Sequence, residues 1–153
     1  MKNYLRVLTL LLLLFCVPFT SFAQKQGNIW YFGFKAGVDF NSGNPIGISD
    51  GAMSTEEGCA SISDANGDLL FYTDGDTVYN RNHNVMPNGH GLLGNISSSQ
   101  SAIIIKKPNS DSLYYIFTVD GWTGNNGGLN YSVVDMVLDG GNGDVNGKKT
   151  YQH

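Results

Sequence analysis

The chain has 153 residues, with nine Lys and Arg against thirteen Asp and Glu, so its formal net charge is −4 at pH 7. This acidity disfavours nucleic-acid binding, because phosphate backbones are repelled and the only basic doublets are Lys106-Lys107 and Lys148-Lys149. Twenty glycines accompany 12% aromatic residues, and disordered chains lack such aromatics, so the glycines indicate turns in a folded chain.

The N-terminus has the three parts of a secretory signal peptide. Lys2 and Arg6 give it a positive charge, and the apolar run that follows is too short to span a bilayer. Small residues three and one positions before Gln24 fit a cleavage site. We therefore expect a signal peptide over 1–23 and a secreted, extracellular mature chain over 24–153, without a membrane span once the signal is removed.

Cleavage changes the charge and the cysteine count of the chain. The signal contains two basic residues and no acidic one, so seven Lys and Arg remain against thirteen Asp and Glu. Cys16 leaves with the signal, which leaves Cys59 alone and excludes an internal disulfide. Because Cys59 lies in a run of small and apolar residues, we expect a buried structural thiol.

The mature chain contains short apolar runs separated by turn residues, and no segment has a convincing helical stripe. In residues 113–119 and 129–133 apolar and mixed positions alternate, which is typical of strands. The Asn66-Gly67 pair lies between two runs and favours a tight hairpin with positive φ angles. Strands are predicted over 29–34, 59–63, 69–73, 77–80, 102–106, 113–119 and 129–136.

Two segments of the sequence resemble each other. Residues 69–75, Leu-Leu-Phe-Tyr-Thr-Asp-Gly, are echoed by residues 115–121, Tyr-Ile-Phe-Thr-Val-Asp-Gly, and a strand with small residues and isoleucine precedes each copy. A period in the forties with several strands per unit is typical of propeller blades. The predicted fold is all-β, an incomplete β-propeller-like array of short antiparallel strands, and a β-sandwich is the alternative.

The acidic residues offer one weak metal candidate. Asp64, Asn66 and Asp68 have the alternate spacing of a calcium loop, but no distal Glu follows, so a hairpin turn is the preferred interpretation. His83 and His90 lack the close spacing of zinc sites. We therefore expect no metal site and no cofactor.

No catalytic group of residues is evident either. Glu56 and Glu57 are adjacent, so on an extended chain they point to opposite sides and cannot flank one scissile bond. No serine lies in a Gly-x-Ser-x-Gly elbow. The weak candidate for ligand binding is Trp122, because its glycine-rich loop would present the ring to a sugar, although the ring is equally able to pack on a neighbouring blade.

Long aromatic and Asn-Gly strings run along nearly the whole mature chain. They include Gly-Asn-Ile-Trp-Tyr-Phe-Gly at 27–33 and Ala-Gly-Val-Asp-Phe-Asn-Ser-Gly at 36–43, with others at 57–64, 70–75, 78–81, 86–89 and 128–132. These strings resemble the N-terminal region of large secreted surface proteins of gliding bacteria. The resemblance implies a propeller-like region that precedes PKD repeats and a gliding-motility-associated C-terminal domain read by type IX secretion.

The resemblance and the missing catalytic groups lead to one functional expectation. We expect a non-catalytic cell-surface module for adhesion or ligand binding, with an extracellular glycan or a surface protein as its partner. A propeller needs about four blades and this chain has room for two and a beginning, so we expect an N-terminal fragment of a longer protein. A carbohydrate-binding or carbohydrate-cleaving propeller and a structural spacer are the alternatives.

Overall fold

The computed structural model describes residues 24–121 and 128–150, and the predicted signal peptide lies outside these ranges. The described part is all-β, which confirms the predicted fold class, and its two helices are 3₁₀ turns of three residues each. No described helix has the length and apolar character needed to cross a membrane. The strands are β1 (Ile29–Phe32), β2 (Ala36–Asp39), β3 (Ile46–Ile48), β4 (Ala60–Ser63), β5 (Leu69–Thr73), β6 (Val78–Asn80), β7 (Ala102–Lys106), β8 (Leu113–Val119), β9 (Leu129–Asp135) and β10 (Asp144–Thr150).

The strands of the described ranges form three antiparallel sheets, and each sheet uses strands that are consecutive in the chain. The first sheet has the order β1-β2-β3, the second β4-β5-β6, and the third β7-β8-β9-β10. Such meanders arise because short strands separated by tight turns pair with their sequence neighbours. Each sheet is thus one supersecondary unit of the chain.

The second sheet lies between the other two and is buried on both faces. Its Tyr72 face packs with Tyr31 and Met53 of the first-sheet side. Its Phe71 face packs with Tyr114, Ile116 and further apolar side chains of the third sheet. Because side chains alternate along β5, its neighbouring aromatic residues lie in two separate cores. The second sheet therefore packs against a sheet on each face, and the three sheets form three layers.

The first strands of successive sheets lie side by side. β1 contacts β4, and β4 contacts β7. The Tyr31 backbone N–H donates to Ser61 Oγ at 2.8 Å, and Ser101 Oγ donates to the Gly58 carbonyl oxygen at 2.5 Å. These polar contacts join the sheets along one edge of the stack.

The seven predicted strands are all present, with end points that differ by at most two residues. The first of them ends at Phe32 because Gly33 has a positive φ of 57° and turns the chain. Three strands were not predicted: β2, β3 and β10. These strands are short or polar, and β3 is largely exposed. Their strand conformation therefore depends more on pairing with a neighbouring strand than on a hydrophobic pattern of their own.

The predicted hairpin turn joins β4 to β5, but its geometry differs from the expectation. Gly67 has a φ of 97°, whereas Asn66 is not among the residues with positive φ. Asp64 Oδ1 accepts the backbone N–H groups of Asn66 and Asp68 at 2.8 and 3.0 Å. The aspartate side chain thus organises a wider turn in which one residue supplies the left-handed conformation.

Gly94 marks a close approach of two loops that a side chain would disturb. A Cβ atom there would lie 2.4 Å from the carbonyl oxygen of Gly75, which also accepts the Gly94 N–H. We expect Gly94→Ala to lower the free energy of unfolding by about 1–3 kcal/mol. Gly47→Ala is the control, because a Cβ there meets nothing within 4 Å. Urea denaturation of both variants checks this, and equal midpoints would contradict it.

Candidate functional site

A group of titratable side chains lies between the first and second sheets, and we call it the tyrosine–histidine cluster. It consists of Tyr31 of β1, Tyr72 of β5, Tyr79 of β6, His83 of the turn after β6, and Asp50 of the loop after β3. The rings of Tyr31 and Tyr72 stack at a centroid distance of 4.6 Å, and those of Tyr72 and Tyr79 at 5.2 Å. Ring stacking thus continues across the interface between the two sheets.

Hydrogen bonds connect the polar atoms of this cluster. Tyr31 Oη donates to Asp50 Oδ1 at 2.7 Å, and Tyr72 Oη lies 3.1 Å from His83 Nδ1. The Ala52 backbone N–H donates to Tyr72 Oη at 2.8 Å. His83 Nε2 lies 3.6 Å from Asp50 Oδ2, and His83 holds a left-handed backbone with a φ of 62°. Both nitrogens of the imidazole therefore face groups of the chain itself.

Burial and hydrogen bonding shift the acidities within the cluster. Burial, and then the hydrogen bond to Asp50, raises the pKa of Tyr31 far above its ordinary value. Burial also raises the pKa of Tyr72 and that of Tyr79. The hydrogen bond from Tyr31 lowers the pKa of Asp50. Tyr72 thus stays protonated, and its hydroxyl shares a hydrogen bond with His83 Nδ1.

This arrangement ties the loop after β3 and the turn after β6 to the stacked tyrosine rings. A general base needs a free nitrogen within hydrogen-bond reach of the proton that it takes, and each His83 nitrogen already faces a partner. The cluster was not predicted from the sequence, because its members lie far apart in the chain and carry no motif. The position of His83 in an Asn-rich turn was the only local signal.

The cavity between β1 and β4 is the best candidate for holding a ligand. It has a volume of about 260 Å³ and opens to solvent. Its lining is mostly apolar and includes Trp30 and Phe32, which are 53% and 40% exposed although they are large hydrophobic side chains. The remaining lining residues are Tyr31, Cys59, Ala60 and Ser61. Aromatic walls with a few polar atoms are typical of small-ligand sites.

Cys59 is half-buried at the edge of this cavity, immediately before β4, and is not paired in a disulfide. Burial, and then the charge of Asp74, raises the pKa of its thiol. A raised pKa keeps the thiol protonated at neutral pH and therefore poorly nucleophilic. This agrees with the expected structural role, although the residue is less buried than predicted.

The weak calcium candidates form the β4–β5 turn. Oδ1 of Asp64 accepts two backbone N–H groups, so the turn itself uses this oxygen. Asp64 and Asn66 also line a second cavity of about 270 Å³, with Lys106 and Asp111 across from them. Within 24–121 and 128–150, no three His, Cys, Asp or Glu side chains come together as a metal site would require.

The other candidate residues within the described ranges do not join either site. Glu56 and Glu57 are exposed in the loop before β4, and His90 is exposed in the segment between β6 and β7. Trp122 lies outside the described residues. In comparisons with known proteins, no protein-family model, no curated protein and no solved structure matches the chain.

Proposed function

We propose that the chain is a non-catalytic exported surface module of propeller-like architecture that works by binding a ligand. The observation that carries the proposal is the aromatic cavity between β1 and β4. These two strands are the first strands of the first and second sheets, and they lie side by side. In propellers the sheets surround a central channel, and ligand cavities occur in such openings. The exposed Trp30 offers a ring for stacking, whereas the neighbouring Ser61 hydroxyl already bonds the backbone N–H and carbonyl oxygen of Tyr31.

The arrangement of the sheets supports a propeller over the alternative sandwich. Three meanders stack in chain order, and the middle one is buried on both faces. A sandwich has two sheets packed around one core. A propeller instead has several small sheets, its blades, arranged in chain order around a central axis. The two copies of the sequence repeat supply β5 and β8, which are the second strands of successive sheets.

The absence of catalysis is inferred from how the polar groups are used. The Tyr31 and Tyr72 hydroxyls bond Asp50 and His83 within the tyrosine–histidine cluster, and only Tyr31 of this cluster is among the described residues that line the aromatic cavity. None of the described residues that line the cavity carries a carboxylate. Glycoside cleavage requires two carboxyl groups across a bound sugar, so binding is favoured over cleavage.

Two experiments test the proposal. Expression in a bacterial host, followed by cell fractionation and intact-mass measurement, is expected to give a chain outside the cytoplasm that starts at Gln24. Retention of the chain in the cell with residues 1–23 attached would refute export.

Binding is tested on a glycan array and on host-surface extracts with the wild-type chain, Trp30→Ala and the control Val137→Ala. Val137 is 67% exposed and lies after β9, away from the cavity. We expect Trp30→Ala to weaken binding at least about 10-fold, by analogy with bases, whose stacking on an aromatic side chain contributes about 1–3 kcal/mol. The control should bind as the wild type does. Equal binding by all three proteins would exclude the cavity as the ligand-binding site.

A further inference from the structure

We propose that the second cavity, at the seam between the second and third sheets, binds a free amino acid with an aliphatic side chain. This cavity has a volume of about 270 Å³ and is partly open to solvent. Pockets for drug-sized ligands have volumes of about 300–1,000 Å³, so this one suits a smaller molecule. It shares no described lining residue with the aromatic cavity, and the inference does not depend on the proposed function.

The hydroxyl of Tyr114 is the observation that points to a ligand. Tyr114 lines the cavity, is 5% exposed, and packs its ring edge to face on Phe71. Its hydroxyl makes no hydrogen bond to a described residue, whereas the hydroxyls of Tyr31 and Tyr72 are bonded. A buried hydroxyl without a partner lowers stability, and a phenylalanine ring would fill the same space without that cost. The Tyr114 hydroxyl therefore indicates a partner that comes from solution.

Lys106 places a positive charge beside this hydroxyl. It lies opposite Tyr114 in the β7–β8 register, so both residues are on the face that packs against the second sheet. Ala102 and Ile104 lie on the same face of β7 and contribute to the core, whereas the strand presents an ammonium group at Lys106. Lys106 makes no ion pair with a described carboxylate. An ammonium group and a hydroxyl side by side can both donate to the carboxylate of a ligand.

Carboxylates supply the opposite charge at the same cavity. Asp64 Oδ1 accepts the backbone N–H groups of Asn66 and Asp68, which leaves Oδ2 without a partner among the described residues. Asp111 is exposed in the turn between β7 and β8, and it makes no ion pair within the described part of the chain. The oxygens of both carboxylates can therefore accept hydrogen bonds from the ammonium group of a ligand.

The two signs of charge select a ligand that carries both. A metal cation would be repelled by Lys106, and a simple anion would be repelled by Asp64 and Asp111. A neutral sugar would leave the ammonium group and the carboxylates without a charged partner. The carboxylate of a free amino acid fits Lys106 and the Tyr114 hydroxyl, and its ammonium group fits Asp64.

The apolar part of the lining selects the side chain of the ligand. Leu70 of β5 and Met136, which follows β9, line the cavity and are 7% and 8% exposed. An aliphatic side chain placed against them would be removed from water. The cavity lies between two consecutive sheets, so a further sheet packed on the outer face of the third sheet would leave it open.

Titration calorimetry of the purified chain with leucine, valine and methionine tests the proposal. We expect at least one of these amino acids to bind with a Kd below about 1 mM. For leucine, isocaproate lacks the ammonium group and isoamylamine lacks the carboxylate. Each analogue should bind at least about 10-fold more weakly, because it leaves one charge of the site unpaired. No binding of any of the amino acids at about 10 mM, or equal affinity for an amino acid and its analogues, would overturn the proposal.

Tyr114→Phe separates a ligand contact from a structural role, because it removes the hydroxyl and keeps the ring on Phe71. It should weaken binding at least about 10-fold, yet its urea midpoint should equal or exceed that of the wild type. Tyr115→Phe is the matched control, since Tyr115 lies on the opposite face of β8 and should bind the amino acid as the wild type does. Unchanged affinity of Tyr114→Phe, or a lower urea midpoint, would contradict a hydroxyl that awaits a ligand.

Lys106→Met tests the charge and keeps most of the length of the side chain. We expect it to weaken amino-acid binding at least about 10-fold, because the carboxylate of the ligand loses its charged partner. Lys107→Met is the control, since Lys107 is the next residue and is not among those that line the cavity. If both variants bound the amino acid equally, Lys106 would not hold the ligand and the proposal would fail.

Failure of this proposal is distinguishable from failure of the proposed function, because the two sites are separate cavities. A chain that binds no amino acid but loses its surface ligand with Trp30→Ala would overturn this inference alone. A chain that binds an amino acid through Tyr114 and Lys106, without export or a ligand at the aromatic cavity, would refute the proposed function alone.

Discussion

Replacing Phe71 with alanine is expected to lower the free energy of unfolding by about 3–5 kcal/mol. The ring is fully buried in the core between the second and third sheets and packs edge to face on Tyr114. Truncation removes apolar contacts with both sheets and leaves a cavity that the paired strands cannot collapse to fill. Urea or guanidinium denaturation measures the loss, and a small domain is expected to lose much of its stability.

Phe34→Ala is the matched control for this experiment. Phe34 is 68% exposed and makes an isolated bridge with Ser54, so its truncation should change the free energy of unfolding by less than about 1 kcal/mol. If both variants lost the same stability, Phe71 would not lie between two packed sheets. If Phe71→Ala unfolded completely, Phe71→Leu would give the smaller loss expected for partial filling of the same site.

Raising the pH above about 10 is expected to destabilise the fold progressively. Burial raises the pKa values of Tyr31, Tyr72, Tyr79 and Tyr114. Above pH 10 these phenols ionise in the unfolded chain while the folded chain still holds the protons. The folded state then binds more protons, so its stability falls as pH rises, by up to about 1.4 kcal/mol per pH unit for each such phenol. Below pH 10 this contribution is fully present.

Urea midpoints between pH 8 and pH 12, with phenolate absorbance as the second signal, test this expectation. Tyr72→Phe is the informative variant, because it keeps the ring stack and removes one titrating group. It should begin less stable, since the Ala52 N–H loses its acceptor, yet its stability should fall less steeply with pH. A wild-type midpoint that stays constant up to pH 12 would contradict the burial of these phenols.

Much of the strand content could be predicted because side chains alternate with a period of two. In residues 113–119, however, the buried face is the mixed one of Tyr114, Ile116 and Thr118, and the wholly apolar face is half-buried or exposed. β10 could not be predicted in this way, since its polar sequence is made a strand by pairing with β9. The sequence predicted a turn at Asp64. It did not predict the hydrogen bonds of the Asp64 side chain or that only one residue of the turn is left-handed, because both depend on the folded backbone.

The sequence by itself determined the all-β class, the separation into short strands and the repeat around Phe71 and Phe117, because these depend on residue type and spacing along the chain. The tertiary structure alone decided which faces are covered. It brought Asp50 and His83 to Tyr31 and Tyr72, and it placed Trp30 beside Ser61 in an open cavity. The approach of His83 to Asp50 and of Trp30 to Ser61 joins different sheets and depends on how the sheets stack, for which no local pattern exists.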